Sequence, residues 1–174
     1  IGSSSYFAAA SDEDNVLRVY DRSRAGVPTA RLDVTDFLAL EESKDLEGDI
    51  EGAAQLGNRI YWIGSHGRNS KGKKRPMRQR LFATTVRETS QGVKLATVGQ
   101  PYAGLLDDLR TSPALAAFDL DEAAGLAPEE QGGLNIEGLA GTAEQTLLVG
   151  FRSPIPDGRA LLVSIQNPAQ VVDG

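Results

Sequence analysis

Short apolar runs bounded by turn-forming residues recur along the chain and predict β-strands rather than long helices. In the N-terminal part, Tyr6–Ala10 and Val16–Asp21 flank the polar segment Ser11–Asn15, which predicts a hairpin. Arg31–Val34 is predicted as a further strand. Thr35–Lys44 has the pattern of a short helix that begins at a threonine cap.

A repeat without gaps determines the interpretation of the rest of the chain. Asp49–Ala54 is echoed by Asn135–Ala140, and Ile63–Gly64 is echoed by Val149–Gly150, both at an offset of 86 residues. Two matches at one offset predict that a single structural unit occurs twice.

Further predicted strands complete each copy. Arg59–Ile63 and Gln145–Val149 are apolar and rich in residues that favour strands, and Arg80–Val86 and Arg159–Ile165 follow them. Val93–Val98 adds a fourth strand to the first copy. Three or four antiparallel strands in units of roughly 40 to 50 residues are typical of β-propeller blades.

The turn between the first two strands of the first copy sets an expected register. Gly57–Asn58 tolerates the positive φ of a tight hairpin. Counting outward from it places Asp49 opposite His66. Glu51 is then expected opposite Gly64.

The sequence therefore predicts an all-β fold of propeller-like antiparallel blades, forming an incomplete propeller with short helices in the insertions between blades. The chain is expected to be one domain, with blade-like units at residues 1–34, 47–99 and 133–174. The intervening insertion, residues 100–132, contains predicted helices at Pro101–Leu109 and Asp121–Leu126.

Composition narrows the possible chemistry. The 174 residues include 18 Lys or Arg, 24 Asp or Glu, no Cys and one His, with a net charge of -6. Disulfides and Cys- or His-rich metal sites are excluded, so any metal must be bound by oxygen. No apolar run approaches the ~20 residues of a spanning helix, so we expect no membrane partner. The acidic composition also argues against nucleic acid as a partner.

Positive charge is concentrated between Arg68 and Arg80, where seven Lys or Arg occur without an acidic residue. Such a basic loop suits a phosphate or carboxylate ligand. The alternative is a solvated hairpin tip that keeps the protein soluble.

Six segments together resemble an uncharacterised bacterial family, the domain of unknown function 3616. They are Asp12–Tyr20, Asp49–Ala53, Tyr61–Asn69, Arg78–Ala83, Gly133–Ala140 and Gly150–Pro154. The resemblance covers nearly the whole chain and implies no particular activity. More distantly, the chain is similar to phytase-like and esterase-like propellers, in which a Glu-Gly pair at the start of an inner strand recurs and calcium is common.

Propeller geometry would bring the repeated motifs to one axial face. Asp49, Glu51, Asn135 and Glu137 then offer the carboxylate and amide oxygens that calcium requires, which makes calcium the candidate cofactor. The alternative is that each Glu caps backbone N–H groups or pairs with an arginine.

Basic residues are expected around this face. Arg68, Arg78 and Arg152 could bind a phosphate or carboxylate as planar forks, or could simply balance the carboxylates. His66 is the candidate catalytic base, oriented by Asp49. Its alternative role is to close a turn by bonding to the backbone, and no nucleophile partner is evident.

Two functions remain open. One is a propeller that binds a small anionic ligand or a protein partner at the axial face. The other is a calcium-dependent hydrolase of phosphate esters, esters or lactones. Because Ile1 falls inside the first unit, the chain is expected to be part of a longer propeller, whose open sheet edges would favour self-association. A soluble protein is expected, and a cytoplasmic or a periplasmic location stays open.

Overall fold

The structure is a computed structural model that describes residues 5–38, 47–90 and 92–174. Most of its regular structure is strand, arranged in three antiparallel sheets of three, four and three strands. Neighbouring strands in each sheet follow one another along the chain, so every sheet is a simple meander.

The first sheet confirms the predicted N-terminal hairpin. It contains β1 (Tyr6–Ser11), β2 (Asp14–Asp21) and β3 (Ala30–Asp33), in that order. Helix α1 (Thr35–Leu38) begins at the predicted residue. The remainder of the predicted helix, residues 39–44, lies outside the described residues.

The second sheet has four strands, as the first copy of the repeat predicts. They are β4 (Ile50–Leu56), β5 (Arg59–Gly64), β6 (Leu81–Thr89) and β7 (Gly92–Tyr102). Each strand pairs only with its sequence neighbours in this sheet, so β4 and β7 are its two edges.

The third sheet repeats the first three strands of the second. It contains β8 (Asn135–Gly141), β9 (Leu147–Ser153) and β10 (Leu162–Ile165). Strand β10 begins later than the sequence predicts, because the residues from Arg159 onward form an irregular approach to it.

Short helices connect or follow the sheets. They are α2 (Leu105–Thr111), a 3-10 helix at Pro113–Phe118, α3 (Leu120–Gly125) and α4 (Pro168–Asp173). The prediction of a helix from Pro101 is wrong, because β7 continues to Tyr102 before the chain turns. None of the described helices is both long and apolar enough to span a bilayer.

A β-bulge at Glu51 changes the register predicted for the first hairpin. Ile50 pairs with Gly64 and Gly52 pairs with Ile63, so Glu51 has no partner on β5. The predicted pairing of Glu51 with Gly64 is therefore wrong. A bulge adds a residue to one strand and redirects its side chain, which the hairpin turn alone does not specify.

The second copy of the motif is irregular at the same glutamate. In β8, Ile136 pairs with Phe151 and Gly138 pairs with Gly150, which leaves Glu137 between them. Both glutamates of the repeat are thus placed by bulges at the same end of their sheets.

Two apolar clusters fill the space between the sheets. One, between the first and second sheets, includes Leu17, Trp62 and Phe82. The other includes Ile63 and Ile136 and joins the second and third sheets to α2 and α3. Trp62 is buried in the core, and its indole donates a 2.9 Å hydrogen bond to the Thr84 hydroxyl.

The end of β5 is packed against two other backbone segments. A Cβ atom on Gly64 would lie 2.3 Å from the Arg78 carbonyl oxygen and 2.7 Å from that of Gly48. The Arg78 carbonyl oxygen is held in place by the His66 N–H at 3.2 Å, and the Gly64 N–H itself donates to the Arg80 carbonyl at 3.0 Å. The chain therefore requires glycine at this position.

We expect Gly64→Ala to lower the free energy of unfolding by more than about 2 kcal/mol, because an added methyl group would overpack rigid backbone. The matched control is Gly125→Ala at the end of α3, where a Cβ meets nothing within 4 Å. This control should be neutral or slightly stabilising. Urea denaturation of both variants measures the difference, and equal stabilities would contradict the packing described for β5.

Candidate functional site

Five carboxylates approach one another where β4 and β8 begin. We call this surface the acidic face and define it by Asp12, Glu47, Asp49, Glu51 and Glu137. The charges of Asp12, Asp49 and Glu137 all act on Glu51, and those of Asp12 and Glu47 act on Asp49. The surface thus joins the β1–β2 turn of the first sheet to the starts of the other two.

Arg78 neutralises two of these carboxylates. Its Nη1 lies 2.8 Å from Asp49 Oδ2, and its Nη2 lies 2.9 Å from Glu47 Oε2. Burial raises the pKa of Asp49, while a hydrogen bond from Ser65 and the charge of Arg78 oppose that rise. Arg78 is therefore a structural ion-pair partner, which is one of the two roles that the sequence left open.

Glu137 is also paired. Its Oε1 accepts hydrogen bonds from Arg152 Nη1 at 2.9 Å and from Asn135 Nδ2 at 3.0 Å. The side chain of Arg152 is about half exposed, so this pair lies at the rim of the acidic face. Glu137 therefore pairs with an arginine, which is the alternative to a metal-ligand role that the sequence left open.

Arg68 holds the basic loop in place instead of facing the carboxylates. Its Nε donates to the Ala124 carbonyl at 2.8 Å, and its Nη1 donates to the Gly72 carbonyl at 2.9 Å. All three arginines predicted to bind an anion thus have partners within the chain.

Glu51 differs from the other carboxylates of the acidic face. Within the described parts of the chain, its side chain has no hydrogen bond and no ion pair, although it is only partly exposed. Burial raises the pKa of Glu51 to about 7, and the negative charges of Asp49, Glu137 and Asp12 contribute further. Glu51 is therefore the carboxylate of this face that an added cation would stabilise most.

A small cavity of about 170 Å³ adjoins Glu51 between the first and second sheets. We call it the Glu51 slot. Its remaining walls come from Ala8–Ala10 of β1, Ile50, Gly52–Ala53 and Trp62. Apart from Glu51, the side chains that line the slot are apolar, while backbone groups and the Glu51 carboxylate make about half of its exposed lining polar. The sequence did not reveal the contribution of Ala8–Ala10, because small residues in a strand carry no signal of the sheet they face.

His66 is enclosed and does not contact Asp49. Its side chain is buried, its φ is +57°, and its Nδ1 lies 2.9 Å from the Gly64 carbonyl oxygen. The bulge places Asp49 beside Ser65, whose N–H donates to the Asp49 carbonyl at 3.0 Å. The predicted pairing of His66 with Asp49 is therefore wrong. His66 instead closes a turn by bonding to the backbone, which is the alternative role that the sequence left open.

Burial lowers the pKa of His66 to about 4, and the nearby charge of Arg80 lowers it further. In the described residues, His66 Nε2 is buried without a hydrogen-bond partner. A protonated imidazole would be poorly accommodated here, so the ring is neutral at physiological pH.

The four predicted calcium ligands have unequal surroundings. Asp49 and Glu137 are held by arginines, whereas Glu51 is unpaired. Asn135 Oδ1 is buried without a hydrogen-bond partner. Among residues 5–38, 47–90 and 92–174, no three Asp, Glu or His side chains are grouped closely enough to hold a metal ion.

The chain is a β-rich protein of three meander sheets, and the acidic face includes residues from one end of each sheet. A family model described as "Protein of unknown function (DUF3616)" matches residues 3–91 and 76–173. The chain therefore belongs to this family, and the resemblance to the domain of unknown function 3616 is confirmed. No curated protein shows significant similarity to the chain.

The buried imidazole predicts a specific dependence of stability on pH. The pKa of His66 in the folded state is about 4, below the ordinary value of 6.5. The contribution of the neutral imidazole to the free energy of unfolding is therefore complete above pH 6.5 and is lost as the pH falls towards 4. We expect this loss to approach about 3 kcal/mol. His66→Asn tolerates the positive φ and does not titrate, so it should remove the loss.

Urea denaturation of both proteins at several pH values measures this effect. The carboxylates are common to the two proteins, so the difference between their stabilities isolates the imidazole. A difference that stays constant from pH 7 to pH 4 would contradict the enclosed, neutral state of His66.

Proposed function

We propose that the chain is a non-catalytic binding module whose acidic face binds a positively charged group on an aliphatic stem. A lysine side chain of a partner protein and a free alkylamine both have this chemistry. The observation that carries the proposal is Glu51, a partly buried carboxylate that lacks a partner in the described structure and opens onto a slot whose other side chains are apolar.

The sign of the ligand charge follows from the charges of the acidic face. Five carboxylates stand against Arg78 and Arg152, and both arginines are already paired. An anion, the ligand expected from the sequence, would be repelled by the remaining negative charge. A cation would be attracted and would also relieve the mutual repulsion that raises the pKa of Glu51.

The slot adds a preference for an aliphatic stem. Each methylene group buried against Ala8–Ala10 and Trp62 would contribute roughly 0.8 kcal/mol. The ammonium group at the end of the stem would then donate to the Glu51 carboxylate, as a charge-assisted hydrogen bond. A compact inorganic cation would lack this contribution from the apolar side chains.

Within this proposal, we assign the three sheets to consecutive blades of a β-propeller. The 86-residue repeat, the meander order of the strands and the matching bulges at Glu51 and Glu137 support the assignment. In a propeller, the starts of the inner strands surround the axis, which would make the acidic face the axial mouth.

A calcium-dependent hydrolase is the second candidate. Asn135 Oδ1, a buried amide oxygen without a hydrogen-bond partner beside Glu137, favours the calcium part of this function. The hydrolytic part has less support, because His66 is enclosed in the core and Asp49 is occupied by Arg78. Calcium is therefore a useful second probe.

The proposal predicts that n-butylamine and Nα-acetyl-lysine amide bind to the protein. Their affinity should rise between pH 6 and pH 8, because the Glu51 carboxylate, with a pKa of about 7, must ionise while the amine stays charged. Isothermal titration and NMR measure this binding. Glu51→Gln should weaken it at least about tenfold, which corresponds to roughly 1.4 kcal/mol.

Glu144→Gln is the matched control, because Glu144 is an exposed carboxylate in the β8–β9 turn at the far end of the sheet. It should bind both amines as the wild type does. Equal affinity in Glu51→Gln would overturn the proposal. Stabilisation by calcium alone, dependent on Glu51 and Asn135, would support the second candidate instead.

A further inference from the structure

A second concave surface lies at the end of the sheets opposite the acidic face. The β4–β5 turn, the β8–β9 turn and the junction of β10 with α4 enclose a cleft of about 540 Å³. This volume is within the range of roughly 300 to 1,000 Å³ that is usual for small-molecule sites. The acidic face contributes no residue to it.

Side-chain amides are concentrated in this cleft. The whole chain contains thirteen Asn and Gln residues, and five of them line this one surface. They are Asn58, Gln145, Gln166, Asn167 and Gln170. Each carboxamide offers two N–H donors and an oxygen acceptor, so the cleft presents many hydrogen-bonding groups without charge.

Arg59 is the one charged residue in the described lining of the cleft, and it is paired with a carboxylate outside that lining. Arg59 binds Asp173 through two hydrogen bonds, Nη1 to Oδ1 at 2.9 Å and Nη2 to Oδ2 at 3.1 Å. This bidentate pair fixes the guanidinium and removes its net charge from the cleft. Neither an anion nor a cation is therefore favoured here.

Three of the amides are already oriented by their neighbours. Gln166 Nε2 donates to the Ser164 hydroxyl at 2.6 Å, and Asn167 Nδ2 donates to Gln170 Oε1 at 3.2 Å. These bonds leave the carbonyl oxygens of Gln166 and Asn167 and the amino group of Gln170 available to a ligand. The cleft is thus partly organised before any ligand enters.

The backbone at Gln145 supports a role for its side chain. This residue has φ +61° in the Thr142–Thr146 turn, a conformation that favours glycine. A side chain at such a position costs conformational energy, and Gln145 is one of the residues that line the cleft.

We propose that this cleft binds a neutral carbohydrate. Sugar hydroxyls donate and accept hydrogen bonds at closely spaced positions, which matches a surface of five carboxamides and one neutralised Arg–Asp pair. The inference is independent of the cation proposed for the acidic face, because the two surfaces share no residue.

The test is an NMR titration with three neutral trisaccharides: maltotriose, mannotriose and triacetylchitotriose. At least one should shift the side-chain amide resonances of the cleft saturably, with millimolar affinity. The variant Gln145→Gly/Gln170→Ala should weaken this binding about tenfold, as expected for two lost hydrogen bonds. Both substitutions suit their backbone, glycine at a positive φ and alanine in a helix, so the melting temperature should be unchanged or higher.

Gln131→Ala is the control, because Gln131 is an exposed amide outside the cleft. It should bind the trisaccharide as the wild type does. The proposal is overturned if none of the three sugars gives a saturable shift, if the double variant binds equally well, or if glucosamine or glucuronate binds more tightly than the neutral sugars.

Discussion

The ion pairs of Arg78 with Glu47 and Asp49 hold together the region on which the acidic face depends. The Arg78 side chain is only 13% exposed and connects the segment that precedes β4 to the connection between β5 and β6. Its carbonyl oxygen also accepts the His66 N–H at 3.2 Å and packs against Gly64. Removing the guanidinium would leave two carboxylates without their counter-charge next to Glu51, a costly arrangement.

This pairing determines which chemistry remains available at the face. Arg78 and Arg152 are occupied by Asp49 and Glu137, so Glu51 is left as an unpaired carboxylate beside a slot whose other side chains are apolar. At the opposite end of the same strands, carboxamides replace carboxylates and the one arginine is neutralised. The two ends of the sheets therefore suit ligands of different charge, a cation at one and a neutral molecule at the other.

The strands and the repeat were predictable from the sequence because their signals are local, namely apolar runs and turn residues such as Gly57–Asn58. The bulge at Glu51 was not, because a one-residue change of register depends on backbone packing between strands. The partners of Arg68 and the alanine wall of the slot were missed for a related reason. Both depend on contacts between segments far apart in the sequence. The repeated motif pointed to Asp49, Glu51, Asn135 and Glu137 as candidates, but which of them are paired could be learned only from the structure.

The most direct measurement is a ¹³C NMR titration of the Glu51 side-chain carboxyl group, with and without n-butylamine. An unpaired, partly buried carboxylate among like charges should titrate near pH 7 in the free protein. Its pKa should fall by about one unit or more when the amine is bound, because the cation stabilises the ionised form. A midpoint near the ordinary value of 4.5, unchanged by the amine, would show that Glu51 is solvated or already paired and would contradict the proposed site.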